Sequence, residues 1–213
     1  MDGSPPGMYV HEGQGENKNN YLIYFEGGGF CGEPTLSETL ESCYNRSFTL
    51  LGSSKDYQPT MGGKQLGALS LSKEENPLFY DWTLIVPKYC DGHEFFGHRE
   101  NPIEFKGKKL FFRGSRNVKE AFHYLSEKYD FYNGGKIAVT GGSAGGMAAY
   151  QWANHLNDHT KKAKVLAHPD SGFFITDYFT SLKNRKIFRE HAEPLMDLVF
   201  NVSETPEPVL KCL

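Results

Sequence analysis

Residues 136–150 read Lys-Ile-Ala-Val-Thr-Gly-Gly-Ser-Ala-Gly-Gly-Met-Ala-Ala-Tyr, and few local arrangements accommodate them. A short apolar run, Ile137 to Thr140, meets Gly141-Gly142-Ser143-Ala144-Gly145, and a small-residue helical pattern starts at once. That is strand, tight turn, helix, the context that gives a Gly-x-Ser-x-Gly pattern its meaning. The turn strains the backbone at the serine, and the flanking glycines let neighbouring backbone come close. The serine Oγ then stands at the carboxyl end of a sheet. The N–H of Ala144, at a helix N-terminus, can stabilise an oxyanion there. A phosphate-binding loop is a competing reading, but a Walker loop ends in Gly-Lys-Ser/Thr and this one ends in Gly-Gly-Met. A plain structural turn is the other. The flanking strand and helix favour a nucleophile at Ser143 over both.

Apolar patterning gives the rest of the outline. Tyr21 to Phe25 is a nearly continuous apolar and aromatic run, read as a buried strand that ends in Glu26-Gly27-Gly28-Gly29-Phe30-Cys31. Leu36 to Leu51 reads as a helix and an irregular segment, followed by a long loop with glycine at 52, 62, 63 and 67. Thr83 to Val86 is a second buried strand, running into Lys88-Tyr89-Cys90-Asp91-Gly92-His93. From Ser115, the residues Val118, Ala121, Phe122, Leu125 and Tyr129 fall on one helical face, and Asn133-Gly134-Gly135 stops the helix. After the Ile137–Thr140 strand a helix is expected over 144–158, then a strand at Lys164 to Ala167 and helices over 178–188 and 193–200. Strands alternating with helices predict an α/β fold: a mostly parallel sheet with helices on both faces. Ligands bind outside the carboxyl ends of such strands. Gly27-Gly28-Gly29, Cys90-Asp91-Gly92 and Ser143 should therefore converge, flanked by His168 to Phe174. The length of 213 residues suits one domain, or part of a larger one.

A formal net charge of −3 gives no case for nucleic acid or an anionic membrane surface. No apolar run approaches a membrane span, and the first residues lack a charged-then-apolar signal pattern. Cys31 and Cys43 are separated by a polar segment and suit a local disulfide in an oxidising compartment. Cys90 and Cys212 have no assigned partner. The absence of C-x-x-C and of paired histidines predicts no metal site, and nothing calls for a cofactor. The sequons Asn45-Arg46-Ser47 and Asn201-Val202-Ser203 are compatible with secretion.

A serine esterase needs a nucleophile, a base, a group that orients the base, and oxyanion donors. Ser143 supplies the first. The Gly27-Gly28-Gly29 turn is the natural second arm of the oxyanion hole, so the N–H groups of Gly28, Gly29 and Ala144 are the expected donors. The base is harder to place. His155 and His159 lie on the helix behind Ser143, His168 directly precedes Pro169, and His191 sits in a charged stretch. His93 and His98 suit substrate contact better than the base role. Asp170 is a candidate acid by position, although a turn or capping role in Asp-Ser-Gly weighs more.

These residues, in this order, resemble the pectin acetylesterase family, which also contains the Wnt-deacylating enzyme Notum. The matching pieces begin with Asp2-Gly3-Ser4-Pro5-Pro6-Gly7, Leu22-Ile23-Tyr24-Phe25-Glu26-Gly27-Gly28-Gly29-Phe30-Cys31 and Leu51-Gly52-Ser53-Ser54-Lys55. They continue with Glu75 to Trp82, Lys88-Tyr89-Cys90-Asp91-Gly92, Leu110 to Arg116, Gly142-Ser143-Ala144-Gly145-Gly146 and Asp170-Ser171-Gly172-Phe173-Phe174. The resemblance covers nearly the whole chain. It implies an α/β-hydrolase fold and a secreted serine carboxylesterase that removes O-acetyl groups from cell-wall polysaccharide. It carries the nucleophile onto Ser143 and the oxyanion donors onto Gly28, Gly29 and Ala144, and it suggests a Cys31–Cys43 disulfide. Family members have their catalytic Asp and His further along, so residues 1–213 are expected to form a single partial domain, the nucleophile half, with the C-terminal part of the fold missing. Such a chain should be a monomer, nearly inert alone, with an exposed sheet edge and poor solubility. The alternatives are a non-catalytic carbohydrate-binding or interaction protein, and an esterase for a lipidated protein.

Overall fold

The computed structural model describes residues 1–62, 67–160, 162–172, 198 and 201–203. Seven strands follow in chain order: β1 (Met8–His11), β2 (Tyr21–Phe25), β3 (Thr83–Pro87), β4 (Ile103–Phe105), β5 (Lys108–Leu110), β6 (Lys136–Gly142) and β7 (Lys164–Asp170). The helices are α1 (Leu36–Arg46), α2 (Gly114–Tyr129) and α3 (Ala144–His159). Five strands form one sheet in the order β1-β3-β2-β6-β7, and β4 and β5 form a separate hairpin. β3, β2, β6 and β7 are parallel, and β1 pairs antiparallel with β3. β2 is apolar on both faces, which places it at the centre, between β3 and β6.

Alternation along the strands divides the core. Tyr21, Ile23, Phe25, Ile85, Ile137 and Val139 share one cluster with Val118, Phe122 and Leu125 of α2 and Ala148, Trp152 and Leu156 of α3. Leu22, Leu84 and Ala138 instead cluster with Trp82, Ala68 and Phe79. Both long helices therefore cover the same face. Among the described residues the second face is covered by the irregular segment around 68–82. A third cluster joins Cys31 and Cys43 to Leu110, Phe112 and Val202, with Leu198 against it.

α2 stops earlier than its glycines suggest. It ends at Tyr129, with Asp130 in the left-handed region at φ 52. The early turn sends Phe131 back into the core, edge-on to Tyr21 at 5.0 Å and tilted against Phe122 at 5.6 Å. The β4–β5 hairpin was not read from the sequence, although Lys106-Gly107 carries its signal. Both turn residues have positive φ (50 and 74), as a tight two-residue hairpin demands. The helices expected over 178–188 and 193–200, together with His191 and Cys212, lie outside the described residues apart from Leu198. No helix among the described residues is long and apolar enough to cross a membrane.

β1 and β7 are the two edges of the sheet among the described residues, and Leu166 within β7 is 65% exposed. An open, apolar parallel edge invites pairing with another chain. Leu166→Lys is expected to reduce concentration-dependent light scattering while leaving the melting temperature within about 2 °C, since surface changes cost little.

Candidate active site

Ser143 is the single residue between the end of β6 and the start of α3, with φ 54 and ψ −119. A non-glycine residue in such a region costs about 1–3 kcal/mol, so its surroundings must impose it. They do so from both sides. The Ser143 N–H donates to the Asp170 carbonyl at 2.9 Å, and its own carbonyl accepts from Met147 N–H at 3.1 Å. The glycines let α3 press into the strand ends. A Cβ on Gly145 would overlap the Phe25 carbonyl oxygen, one on Gly141 would sit 2.6 Å from the same oxygen, and one on Gly146 would sit 2.5 Å from the Asp170 carbonyl. The N-terminus of α3 is thus wedged between β2 and β7, and Ser143 is left exposed above it.

The turn after β2 lies directly against this serine. A Cβ on Gly27 would be 2.6 Å from the Gly142 carbonyl and 3.4 Å from Ser143 Cβ. Gly28 and Gly29 both have positive φ, at 143 and 62, and Gly29 has open space around it. The turn is held from behind. The Gly28 carbonyl accepts from Arg46 Nη1 at 2.9 Å, and the Gly29 carbonyl from Tyr89 Oη at 2.6 Å. Cys31 N–H donates to Gly92 O at 3.0 Å, and Cys31 is disulfide-bonded to Cys43. Glu26 pairs with Lys88 and accepts the Tyr89 N–H.

The Cys90-Asp91-Gly92 segment stands behind that turn and does not line the approach to Ser143. Asp91 is buried, and its carboxylate accepts the N–H groups of His93, Phe95 and Gly97. Burial pushes the Asp91 carboxyl up and these three donors pull it back. Burial also raises the Tyr89 phenol well above its ordinary value, so it keeps the proton it gives to Gly29.

Of the two histidines assigned above to substrate contact, His93 is not free to make it. His93 is fully buried, its ring 4.8 Å from Phe112, because the loop folds inward around Asp91. His98 Nδ1 lies 2.9 Å from Ser115 Oγ, which ties its ring to the start of α2. His155 and His159 stack on each other at the far end of α3. At 1.5 Å per residue they lie about 18 and 24 Å along the axis from Ser143. His168 sits within β7 opposite Thr140, whose hydroxyl donates to its carbonyl. Asp170 accepts from Ser171 Oγ at 2.8 Å and holds the Ser143 amide through its carbonyl, a turn role. Among the described residues, no histidine or carboxylate side chain bonds to Ser143.

Two other features lie away from this site. A cavity of about 230 Å³ runs between Pro6–Met8, Lys88–Asp91 and the middle of α2, and neither Ser143 nor the Gly27–Gly29 turn lines it. One His93 ring nitrogen and the Cys31 and Cys43 sulfurs lie within 4.8 Å of one another, but the sulfurs are joined as a disulfide and are not available as thiolates. The Asp-Gly-Ser and Gly-Ser-Ser motifs near the start of the chain lock together. Asp2 accepts from Ser4 and Ser53 and pairs with Lys55, while Ser4 Oγ accepts the Ser54 N–H.

A pectinacetylesterase family model matches residues 1–198. The chain belongs to the pectin acetylesterase family. It is 36% identical over 177 residues to pectin acetylesterase 5 of Arabidopsis thaliana, covering 82% of this chain and 39% of that protein. Pectin acetylesterase 4 of the same plant is also 36% identical, over 82% of this chain and 41% of that protein. The palmitoleoyl-protein carboxylesterase NOTUM of Schmidtea mediterranea is 30% identical over 83% of this chain and 32% of its own length. The family is therefore of carboxylesterase type, and the chain spans about two fifths of the length of the Arabidopsis relatives. The Wnt deacylase Notum of Drosophila superposes with a TM-score of 0.73 at 22% identity, over 99% of this chain and 59% of that one. The fold is that of the α/β-hydrolases.

Two outcomes test this geometry. Gly145→Ala drives a methyl into the Phe25 carbonyl and is expected to cost about 3 kcal/mol in urea unfolding. His93 concerns pH. Burial first, and then the Arg46 charge, lower its pKa to about 3. Below pH 6.5 the unfolded chain takes up a proton that the folded chain refuses, so this residue's contribution to stability is lost as pH falls from 6.5 towards 3. Both ring nitrogens lack a partner, so leucine removes the liability without orphaning a bond. Measured against the parent, His93→Leu should gain about 2 kcal/mol between pH 6.5 and pH 4.5.

Proposed function

We propose that this chain carries the nucleophile and oxyanion site of a secreted serine carboxylesterase acting on O-acetyl esters of cell-wall polysaccharide. The observation that carries the reading is Ser143 itself, exposed at φ 54 between β6 and α3, with the Gly27 turn against it. Ser143 Oγ attacks the acetyl carbonyl, and the developing oxyanion is met by the N–H groups of Ala144 at the head of α3 and of Gly28 and Gly29. The sugar oxygen leaves as the alcohol, Ser143 is left acetylated, and water then releases acetate. The base and acid for both steps are assigned to the part of the curated relatives that this chain does not span. The disulfide at Cys31 supports an oxidising compartment. The Arabidopsis names favour an acetyl ester over the palmitoleoyl ester of the NOTUM names, because those relatives are more alike in sequence.

p-Nitrophenyl acetate tests the reading, because its good leaving group makes acylation less dependent on a base than release of the acyl group. Incubation is expected to acetylate Ser143 slowly and stoichiometrically, faster at higher pH, with steady turnover at least about 10³-fold below that of a complete triad. Mass spectrometry locates the acetyl group. Labelling that persists in Ser143→Ala removes the assignment. Fast Ser143-dependent turnover would place a working base within these residues.

A further inference from the structure

Arg46 and Tyr89 have no role in the reaction as written above, yet both end on the turn that faces Ser143. Their bonds go to two consecutive carbonyls, those of Gly28 and Gly29. A peptide unit is planar and trans, so fixing a carbonyl fixes the N–H on the opposite side of the same plane. Arg46, through the Gly28 oxygen, therefore sets the N–H of Gly29. Tyr89, through the Gly29 oxygen, sets the N–H of Phe30. Among the described residues no bond is made by the N–H of Gly29, one of the oxyanion donors named above, and the Tyr89 bond fixes the peptide that follows it.

The two side chains are themselves over-determined. Arg46 lies at the end of α1 with its guanidinium 4.9 Å from the Tyr89 ring centre, and its Nε donates to Leu51 O at 3.2 Å. The Tyr89 ring stacks on Phe95 at 4.8 Å, and its oxygen accepts the Glu94 N–H at 3.0 Å while donating to Gly29. That acceptance fixes the direction in which the phenol proton points. Glu94 and Phe95 reach these positions through positive φ values of 50 and 65, strain that the inward loop around Asp91 sustains. Gly28 and Gly29, with positive φ of their own, would otherwise be among the freest peptides in the molecule.

We infer that Arg46 and Tyr89 are positioning residues that hold Gly29 from both sides, the first through the peptide before it and the second through the peptide after it, so that the Gly29 N–H is presented to the carbonyl attacked by Ser143. This rests on the esterase reading for its chemistry, but not for its geometry. Neither residue touches substrate. Their contribution is to remove freedom before the transition state forms, where misaligned donors lose most of their value.

Tyr89→Phe and Arg46→Met each remove one anchor and keep most of the packing, and Arg46→Lys keeps the charge. His93→Leu alters the same buried region without touching either carbonyl. Backbone 15N relaxation reads the geometry in the absence of any reaction. In the parent, order parameters at Gly29 and Phe30 should be about 0.8 or higher. Arg46→Met should bring Gly29, and Tyr89→Phe should bring Phe30, to about 0.6 or lower, while β2 stays rigid. With p-nitrophenyl acetate, both variants should slow Ser143 acetylation about 10- to 100-fold at saturation, with the half-saturating concentration changed less than about twofold. Arg46→Lys should recover part of the rate, and His93→Leu should leave it unchanged. Order parameters that stay high in both variants overturn the inference. So does an acetylation rate that is unaltered, or that falls only in step with the melting temperature. A parent chain in which Ser143 is never acetylated would end the esterase reading instead, and the relaxation data alone would then decide whether the two side chains hold the turn.

Discussion

Backbone-to-backbone contact at the head of α3 is the constraint on which the site depends. Helix and sheet ordinarily meet through side chains, which would hold α3 a full side-chain layer away from β2. Gly141, Gly145 and Gly146 remove that layer, and the first turn of the helix rests on the Phe25 and Asp170 carbonyls. Only at that separation can one residue span the gap between β6 and α3, and the strained conformation of Ser143 follows from the shortness of the connection. The exposure of the serine is a consequence of the same contact.

The second arm of the site is organised differently. The Gly27–Gly29 turn has no regular structure to hold it, and its order comes from groups distant in sequence. A carboxylate at Asp91 gathers three amides and folds the 91–97 loop inward. That brings Tyr89 and Glu94 together beneath the turn, with Arg46 arriving from α1. Buried polar groups of this kind are costly unless paired. Glu94 shows the cost: both its oxygens lack partners, and burial pushes its carboxyl well up.

How far the sequence was legible follows from this difference. The strand, turn and helix around Ser143 are written in adjacent residues, so type and position could both be read. β2, β3, α2 and β7 were legible for the same reason, with errors confined to their ends. α2 ended early because Phe131 is drawn into the core, a long-range demand that Asn133-Gly134-Gly135 does not record. β1 is short and only half apolar, and its pairing with β3 is set by register across a long separation. His93 was misread because a histidine in a glycine-containing loop suggests exposure, whereas Asp91 turns that loop inwards. Neither Arg46 nor Tyr89 carries a local signal for contact with the glycine turn: Tyr89 belongs to the Lys88–Gly92 motif and Arg46 to the sequon Asn45-Arg46-Ser47, and neither pattern records a partner so distant in sequence.

The β7 edge also has a direction: a strand that pairs parallel with β7 continues the orientation shared by β3, β2, β6 and β7. Parallel strands lie about 4.8 Å apart and share an orientation, so every strand added there ends on the same side as Asp170. Asp170 already holds the Ser143 amide through its carbonyl. The β7 edge is therefore also an address: a strand that pairs parallel there delivers its end, and the loop that follows it, to the same end of the sheet as Ser143.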